Sequence, residues 1–427
     1  MAGSESRKPR VLIISNNVLS TQNNNGKTLL SLFKSVPREN ISQLYFSSEK
    51  PEEGLASSYY RISDSDALNN VLRRKENRIS GGTVSPENDS YIKLSQSFSG
   101  IPGIKNTKIK RIEFTRIVRE VIWKLSSWNS IELREWIKKV NPDIVFFCAG
   151  DSLFAHRIYN VVANSAPSAR KVVYVTDDYI MPRFELSPFW WLRRHYVYSR
   201  MRRTVSNSDV FVTISDEMRA EYLKRFGKDS INIFNTPDNL KIDSFKKSPR
   251  GDYIMVYAGG LHFGRWKTLH RLAEALKEFN EKNGRSVLLK VFSHQDVEDR
   301  IRLALTVPGG SEFMGALDSN ELKYNLNDAD FLVHVESFSK KHARSTRLSI
   351  STKIFEYLNV GSKVVAIGPS EISSMRFLSS YAFCITSYES LEDDLVYLLS
   401  DHDFTLFKYN SFDSEACFSA FKKRVLC

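Results

Sequence analysis

Tyr253-Ile-Met-Val-Tyr-Ala-Gly-Gly-Leu-His-Phe-Gly-Arg-Trp-Lys-Thr-Leu269 is the stretch whose reading decides the fold. An apolar run ends in paired glycines, a turn with two cations follows, and a helical segment from Leu269 to Phe279 takes over, so the order is strand, loop, helix. The same grammar has already been used upstream. Val11–Ile14, Ile144–Phe147, Val172–Val175 and Val210–Ile214 each lead through polar or turn residues into a helix-like segment. Val287–Phe292, Phe331–Val335, Val364–Ile367 and Phe383–Ile385 repeat it downstream. Strands that alternate with crossovers predict an α/β protein with two doubly wound, Rossmann-like domains, whose ligands bind at the carboxyl ends of the strands in a central cleft that the domains face.

The prolines and lysines of Asn235–Gly251 mark a linker, with the boundary near residues 238–250. This gives a first domain over 1–240, a second over 241–400, and a C-terminal helix within 401–427 that packs back towards the first. Glu49 to about Asn106 (49–106) is rich in Ser, Asn, Gly and charge and reads as a long surface insertion.

The bulk numbers narrow the class. A chain of 427 residues that is 42% hydrophobic and 26% charged is long enough for two cores. No window approaches the roughly 20 apolar residues of a membrane span, and the opening Met-Ala-Gly-Ser-Glu-Ser-Arg-Lys-Pro-Arg lacks a secretory apolar region, so a cytoplasmic protein is expected. Cys148, Cys384, Cys417 and Cys427 are scattered singly, without zinc-site spacing or the density of a disulfide framework. The net charge of +12 favours phosphorylated ligands, anionic membranes or nucleic acid without choosing among them.

Two stretches of the second half carry the chemistry. Gly259 and Gly260 permit close backbone approach, and Arg265 and Lys267 can neutralise a diphosphate. In Ser349-Ile-Ser351-Thr352-Lys353-Ile-Phe-Glu356-Tyr-Leu-Asn359, hydroxyls cap a helix that turns at Gly361, and Lys353 and Glu356 share a face. A helix N-terminus with hydroxyls and a lysine suits a diphosphate, and a carboxylate one turn further in suits sugar hydroxyls. A capped surface helix carrying a Lys–Glu pair explains the second stretch equally well, and a basic turn before an amphipathic helix would explain either cation of the first.

Together with Phe313-Met314-Gly315 and Asp330-Phe-Leu-Val-His-Val-Glu336-Ser337, these motifs resemble the nucleotide-binding domain of GT-B glycosyltransferases, in particular retaining members of family 4 that build capsule or surface glycans. The resemblance is ordered over about residues 250–370. It implies that Gly260, Arg265, Lys267, Ser351, Thr352 and Lys353 meet the donor diphosphate, Glu356 the ribose, and the backbone of Phe313 and Met314 the base. It implies transfer of a sugar from a nucleotide-diphosphate sugar to a glycan or lipid-linked acceptor, with retention and no essential metal or other cofactor. Many such proteins carry two glutamates seven residues apart; the first would fall at position 348, which is Leu348. The preceding loop is strongly basic. Glu336 is the candidate substitute, and a strand-end carboxylate paired with a cation is the competing reading.

In the first half, Val173-Tyr-Val-Thr176-Asp177-Asp178-Tyr179 ends a strand in two carboxylates, one of which is expected to orient an acceptor hydroxyl or stabilise charge while the other caps a turn. Cys148-Ala-Gly150-Asp151-Ser152 is a weaker site of the same kind. Asn23-Asn-Asn-Gly26-Lys27-Thr28 resembles a phosphate loop, but Thr21 stands where the strict pattern needs glycine. The glycosyltransferase resemblance instead has Gly26 approach the donor diphosphate. Ser187–Arg203 mixes aromatics with cations and suits either an anionic membrane face or an ordinary helix. The apolar residues Ile117, Val118, Val121 and Ile122 read as core. A GT-B sugar-nucleotide epimerase and a non-catalytic basic protein that binds nucleic acid are the alternatives; nucleic acid is not expected as a partner of the transferase.

Overall fold

The computed structural model describes residues 7–21, 24–72, 80–86, 113–183, 185–234, 252–294, 297–360, 363–400 and 414–426. The chain divides into two compact units, Met1–Asn235 with Ala416–Cys427, and Thr236–Glu415. The linker at 238–250 and the turn at Gly361 lie outside the described residues.

The first unit is built on a sheet of β1 (Val11–Ser15), β2 (Ile41–Tyr45), β3 (Ser58–Arg61), β4 (Gly82–Val84), β5 (Ile144–Ala149), β6 (Arg170–Val175), β7 (Val210–Thr213) and β8 (Ile231–Asn232). Their order is β4-β3-β2-β1-β5-β6-β7-β8. All neighbours are parallel except β3 and β4. β1 is buried throughout because helices cover both faces of a parallel sheet, which is why its sequence runs apolar without alternation. The C-terminal helix Ser414–Phe421 belongs to this unit, and Phe421 packs edge-on against Phe33 and Phe146.

The stretch expected as a surface insertion departs from that reading where it is described. Ser58–Arg61 is a strand of the sheet, paired in parallel with β2, and Tyr59, Tyr60 and Arg61 are buried. The helix Asp64–Leu72 follows it. Four residues of strand between serine- and glutamate-rich flanks leave too little apolar sequence to register. Residues 87–106 lie outside the described residues.

The second unit holds β9 (Tyr253–Ala258), β10 (Val287–Phe292), β11 (Ser311–Gly315), β12 (Phe331–Val335), β13 (Lys363–Ile367) and β14 (Phe383–Ile385), ordered β11-β10-β9-β12-β13-β14 and wholly parallel. Its two cores follow the period of two in a strand. Met255, Tyr257, Val333, Val335 and Ile367 meet the helices Arg265–Asn283 and Leu391–Ser400 on one face. Val256, Ala258, Leu332, Val364 and Ala366 meet the helices Thr352–Val360 and Ser373–Leu378 on the other. In each unit the strand order reverses once near the middle, between β1 and β5 and between β9 and β12. Such reversals open a crevice at the carboxyl ends of the strands.

Candidate active site

At the reversal in the second unit, β9 ends in a rigid turn. The Tyr257 hydroxyl donates to the Gly260 carbonyl at 2.7 Å. From the adjacent helix, the buried Tyr357 hydroxyl accepts from Ala258 N at 2.9 Å and donates to Ala258 O at 3.1 Å. This clamps the helix Thr352–Val360 to the end of β9. Phe263 and Gly264 are both left-handed (φ 56° and 76°). A Cβ on Gly264 would also lie 2.7 Å from His342 Nδ1, so only glycine lets the helix start at Arg265 against the basic loop 337–347.

Arg265 crosses the reversal to Glu336 at the end of β12. Its Nη2 donates to Oε1 at 2.9 Å and its Nε to Oε2 at 3.4 Å. Glu336 is 2% exposed and also accepts from Ser374 Oγ at 3.3 Å, and His334 Nε2 stands 3.4 Å from Oε1. Burial alone would push this carboxyl up, but the His334 and Arg265 donors outweigh it and bring it down to about 2. A Cβ on Gly368 would meet Glu336 Cβ at 2.8 Å, so the β13 end must be glycine to admit the carboxylate. Glu336 is therefore an enclosed partner of Arg265, which corrects its expected place as an accessible catalytic group. Leu348 is buried.

Lys267, two residues past Arg265, is exposed, with its ammonium 5.7 Å from the Trp266 ring centroid. On the clamped helix, Lys353 Nζ donates to Glu356 Oε2 at 2.6 Å. Ser351 Oγ accepts from Lys353 N at 3.4 Å. Both members of the Lys–Glu pair are partly exposed, as are Ser351 and Thr352. Phe313 and Met314 lie on the edge strand β11, where the register with β10 skips Met314 between Phe313 and Gly315. That bulge displaces the Met314 backbone from the ladder. The structure thus gathers Gly260, Arg265, Glu336 and the start of the helix at Ser351 on the carboxyl edge of one sheet, with Phe313 and Met314 at the end of that edge.

At the reversal in the first unit a cavity of about 660 Å³ opens beside the ends of β1 and β5. The loop after β1 forms one wall. Buried Gln43 fixes it, accepting from Leu19 N at 2.9 Å and donating to Ser15 Oγ and Asn17 O at 2.8 and 3.0 Å. Glu52 accepts from Thr21 N and from the Ser20 and Thr21 hydroxyls. Gly26 is buried in the helix Asn24–Leu32, and a Cβ there would stand 2.4 Å from Val18 O and 2.8 Å from Ser20 N. Its bare face is turned onto its own loop, which corrects the expectation that Gly26 is glycine so as to approach a diphosphate. Lys27 is exposed.

Asp178 is 1% exposed and its Oδ1 accepts from Ile180 N at 3.2 Å and Met181 N at 2.9 Å. Burial raises its pKa. It organises the turn after β6 rather than reaching solvent, so of the two carboxylates only Asp177 stays partly exposed, its Oδ1 accepting from Asp178 N. Sequence reading missed what the cavity is made of. Arg116 and Arg119 come from the helix Glu113–Leu125, whose buried face carries Trp123, stacked 3.8 Å from Phe154, while Val118, Val121 and Leu125 are exposed. The expected core positions Val118 and Val121 therefore face out: the helix turns its arginines to a polar cavity and its aliphatics to the surface. Its amphipathic period is visible in the sequence, but periodicity does not say which face is inside.

No protein-family model matches the chain, and no curated protein matches it. Solved structures do. One is an Escherichia coli structure described as trehalose-6-phosphate bound with UDP-2-fluoro glucose, with TM-score 0.55, 11% identity, and coverage of 97% of this chain and 95% of that one. Another is an α,α-trehalose-phosphate synthase (UDP-forming) from Burkholderia vietnamiensis, with TM-score 0.54, 10% identity, and coverage of 98% and 97%. TarM matches with TM-score 0.55 and 10% identity over 98% of this chain and 96% of its own. At such identities the likeness establishes the fold, which is the GT-B fold of two parallel-sheet units.

Proposed function

We propose that the chain is a glycosyltransferase that moves a sugar from a nucleotide-diphosphate sugar to a glycan or lipid-linked acceptor, with retention, in the building of surface polysaccharide. The observation that carries this is the concentration of phosphate- and sugar-binding groups on the carboxyl edge of the second sheet. The fold supports it, and so does the UDP-2-fluoro glucose bound in the E. coli structure of the same fold.

In this reading Lys267, Ser351, Thr352 and the start of the helix Thr352–Val360 hold the donor diphosphate, with Gly260 giving its backbone. Lys353 shares its charge between Glu356 and the diphosphate, and Glu356 accepts from the ribose hydroxyls. Arg265, fixed by Glu336, presents the remaining side of its fork. The Phe313–Met314 backbone meets the base. These groups stabilise negative charge on the leaving diphosphate as the glycosidic bond breaks, when it is greatest. Charge compensation rests on side chains and helix dipole, without an essential metal. Asp177, the accessible carboxylate after β6, orients the acceptor.

Peripheral attachment to an anionic membrane belongs to the same reading. Exposed Phe189, Trp191, Leu192 and Tyr196 on the helix Pro188–Ser206 accompany exposed Arg200, Arg202 and Arg203, and the exposed stripe Val118, Val121 and Leu125 lies on the neighbouring helix. Aromatic and cationic side chains together suit the interface of such a membrane. Among the described residues no helix is long and apolar enough to cross one.

A thermal-shift panel of UDP, GDP, ADP and their sugars tests the donor assignment. One nucleoside diphosphate should raise the melting temperature, and Lys267→Ala and Glu356→Ala should each weaken its binding about tenfold or more. Lys267→Ala should leave the unliganded melting temperature unchanged, because the residue is exposed. A panel with no shift would sink the proposal.

A further inference from the structure

Asp151, just past the end of β5, carries more positive partners than its charge can balance. Its Oδ2 accepts from Arg116 Nη1 at 2.9 Å and from Arg193 Nη2 at 2.8 Å, and its carbonyl accepts from Arg193 Nη1 at 3.0 Å. Beside it Arg119 pairs with Asp64 through Nε at 2.8 Å and donates from Nη1 to Ser152 Oγ at 3.2 Å. Glu120 pairs with Arg157 at 3.4 Å and accepts from Leu153 N at 2.7 Å. Among the described residues the connected set is thus the four guanidiniums of Arg116, Arg119, Arg157 and Arg193 against the three carboxylates of Asp64, Glu120 and Asp151. It retains one positive charge when every carboxylate is ionised. Burial opposes ionisation of Asp151, and the Arg193 and Arg116 guanidiniums outweigh it, while burial raises the Glu120 pKa and so adds to the surplus.

This surplus faces the cavity at the β1/β5 reversal, where Arg116 and Arg119 keep about a third of their side chains exposed (35% each). A network serving stability alone has no need of an unbalanced cation on a cavity wall, where partial desolvation makes the charge costly. The other walls are amide and hydroxyl: Asn16, Asn17, Ser47, Ser63 and Thr176. Planar guanidiniums suit the oxygens of phosphate or carboxylate, and amides and hydroxyls suit a polyol. About 660 Å³ lies within the range of roughly 300–1,000 Å³ typical of small-molecule sites.

The geometry points to an anionic acceptor: this cavity takes a sugar unit that bears one phosphate or carboxylate, with the anionic group against Arg116 and Arg119. The inference rests on the glycosyltransferase reading for the word acceptor; the anion site itself does not. Isothermal titration of the full chain with glucose 6-phosphate, glucuronate and glucose, and separately with UDP, tests it.

At low salt one or both anionic probes should bind at least tenfold more tightly than glucose, and the preference should shrink as salt is added. Preference for glucose 6-phosphate alone identifies a phosphate, and preference for glucuronate alone a carboxylate. Arg116→Gln should weaken the anionic probe about tenfold while UDP binding is unchanged; if that variant does not fold, Arg119→Gln and the salt dependence of the unaltered chain decide. Glucose binding as tightly as both anions, or no probe binding while UDP binds, overturns the inference. Anionic probes binding without any nucleotide would keep the anion site and overturn the transferase reading instead.

Discussion

Glu336 shows how a single residue changes meaning once its neighbours are known. From sequence it is a carboxylate at the end of a strand, open to catalysis or to an ion pair. In the fold it sits under Gly368, shared between Arg265, Ser374 and His334. Glu336→Gln would leave the Arg265 guanidinium buried against a neutral partner, and breaking such a pair costs roughly 3–5 kcal/mol. Urea unfolding should show a loss of that order, and a loss below about 1 kcal/mol would mean that the pair does not hold the turn. Lys267 and Glu356 could be singled out from sequence because their surroundings in the chain are local. Arg116, Arg119 and Arg193 could not, since their shared partner Asp151 is distant in sequence and only the packing of three helices brings them to it.

At the scale of elements, the loop and helix after β1 show why a motif is not a site. Gly-Lys-Thr follows a strand and opens a helix, yet the glycine is needed because the helix lies on the backbone of residues 18–20. Gly26→Ala would drive a methyl group into Val18 O and Ser20 N, which are backbone and can yield only by shifting the loop. A cost of about 1–3 kcal/mol is expected from such overpacking, measured as a lower urea midpoint in the absence of any ligand. A variant of unchanged stability that lost only nucleotide binding would return Gly26 to a ligand role. The strands β2 and β3 were not legible because they are short and partly polar. Gln43 and Arg61 are buried within them, and it is the hydrogen bonds of Gln43 to the loop, not an apolar pattern, that suit its position.

Across the whole molecule, each unit carries its own acid-sensitive group. In the first, burial lowers the His156 pKa from 6.5 to about 4, with Nε2 at 3.0 Å from Gly150 O and Nδ1 at 2.9 Å from Thr204 Oγ1. The unfolded chain takes up this proton first, so stability should fall as pH drops from about 6.5 to about 4. In the second, Glu336 is depressed from 4.5 to about 2, so its contribution is present above 4.5 and lost as pH falls towards 2. Urea midpoints measured from pH 7 to pH 3 should show the first decline blunted in His156→Gln and the second blunted in Glu336→Gln. Parallel declines in all three proteins would disprove the assignment.

The repeated alternation of apolar runs and helical segments, by itself, determined that the chain is α/β with two parallel sheets, because a strand covered on both faces must read as a continuous apolar run. It also located the polar turns at the strand ends, where a doubly wound sheet places its ligands. Only the tertiary structure decided which of those polar groups are spent within the protein: Glu336 on Arg265, Asp178 on its own turn, Gly26 on its own loop. The reason is physical. A side chain's type and period are set by its local sequence, but burial and hydrogen-bond partners depend on residues tens of positions away, and these determine whether a charge faces the protein or a ligand.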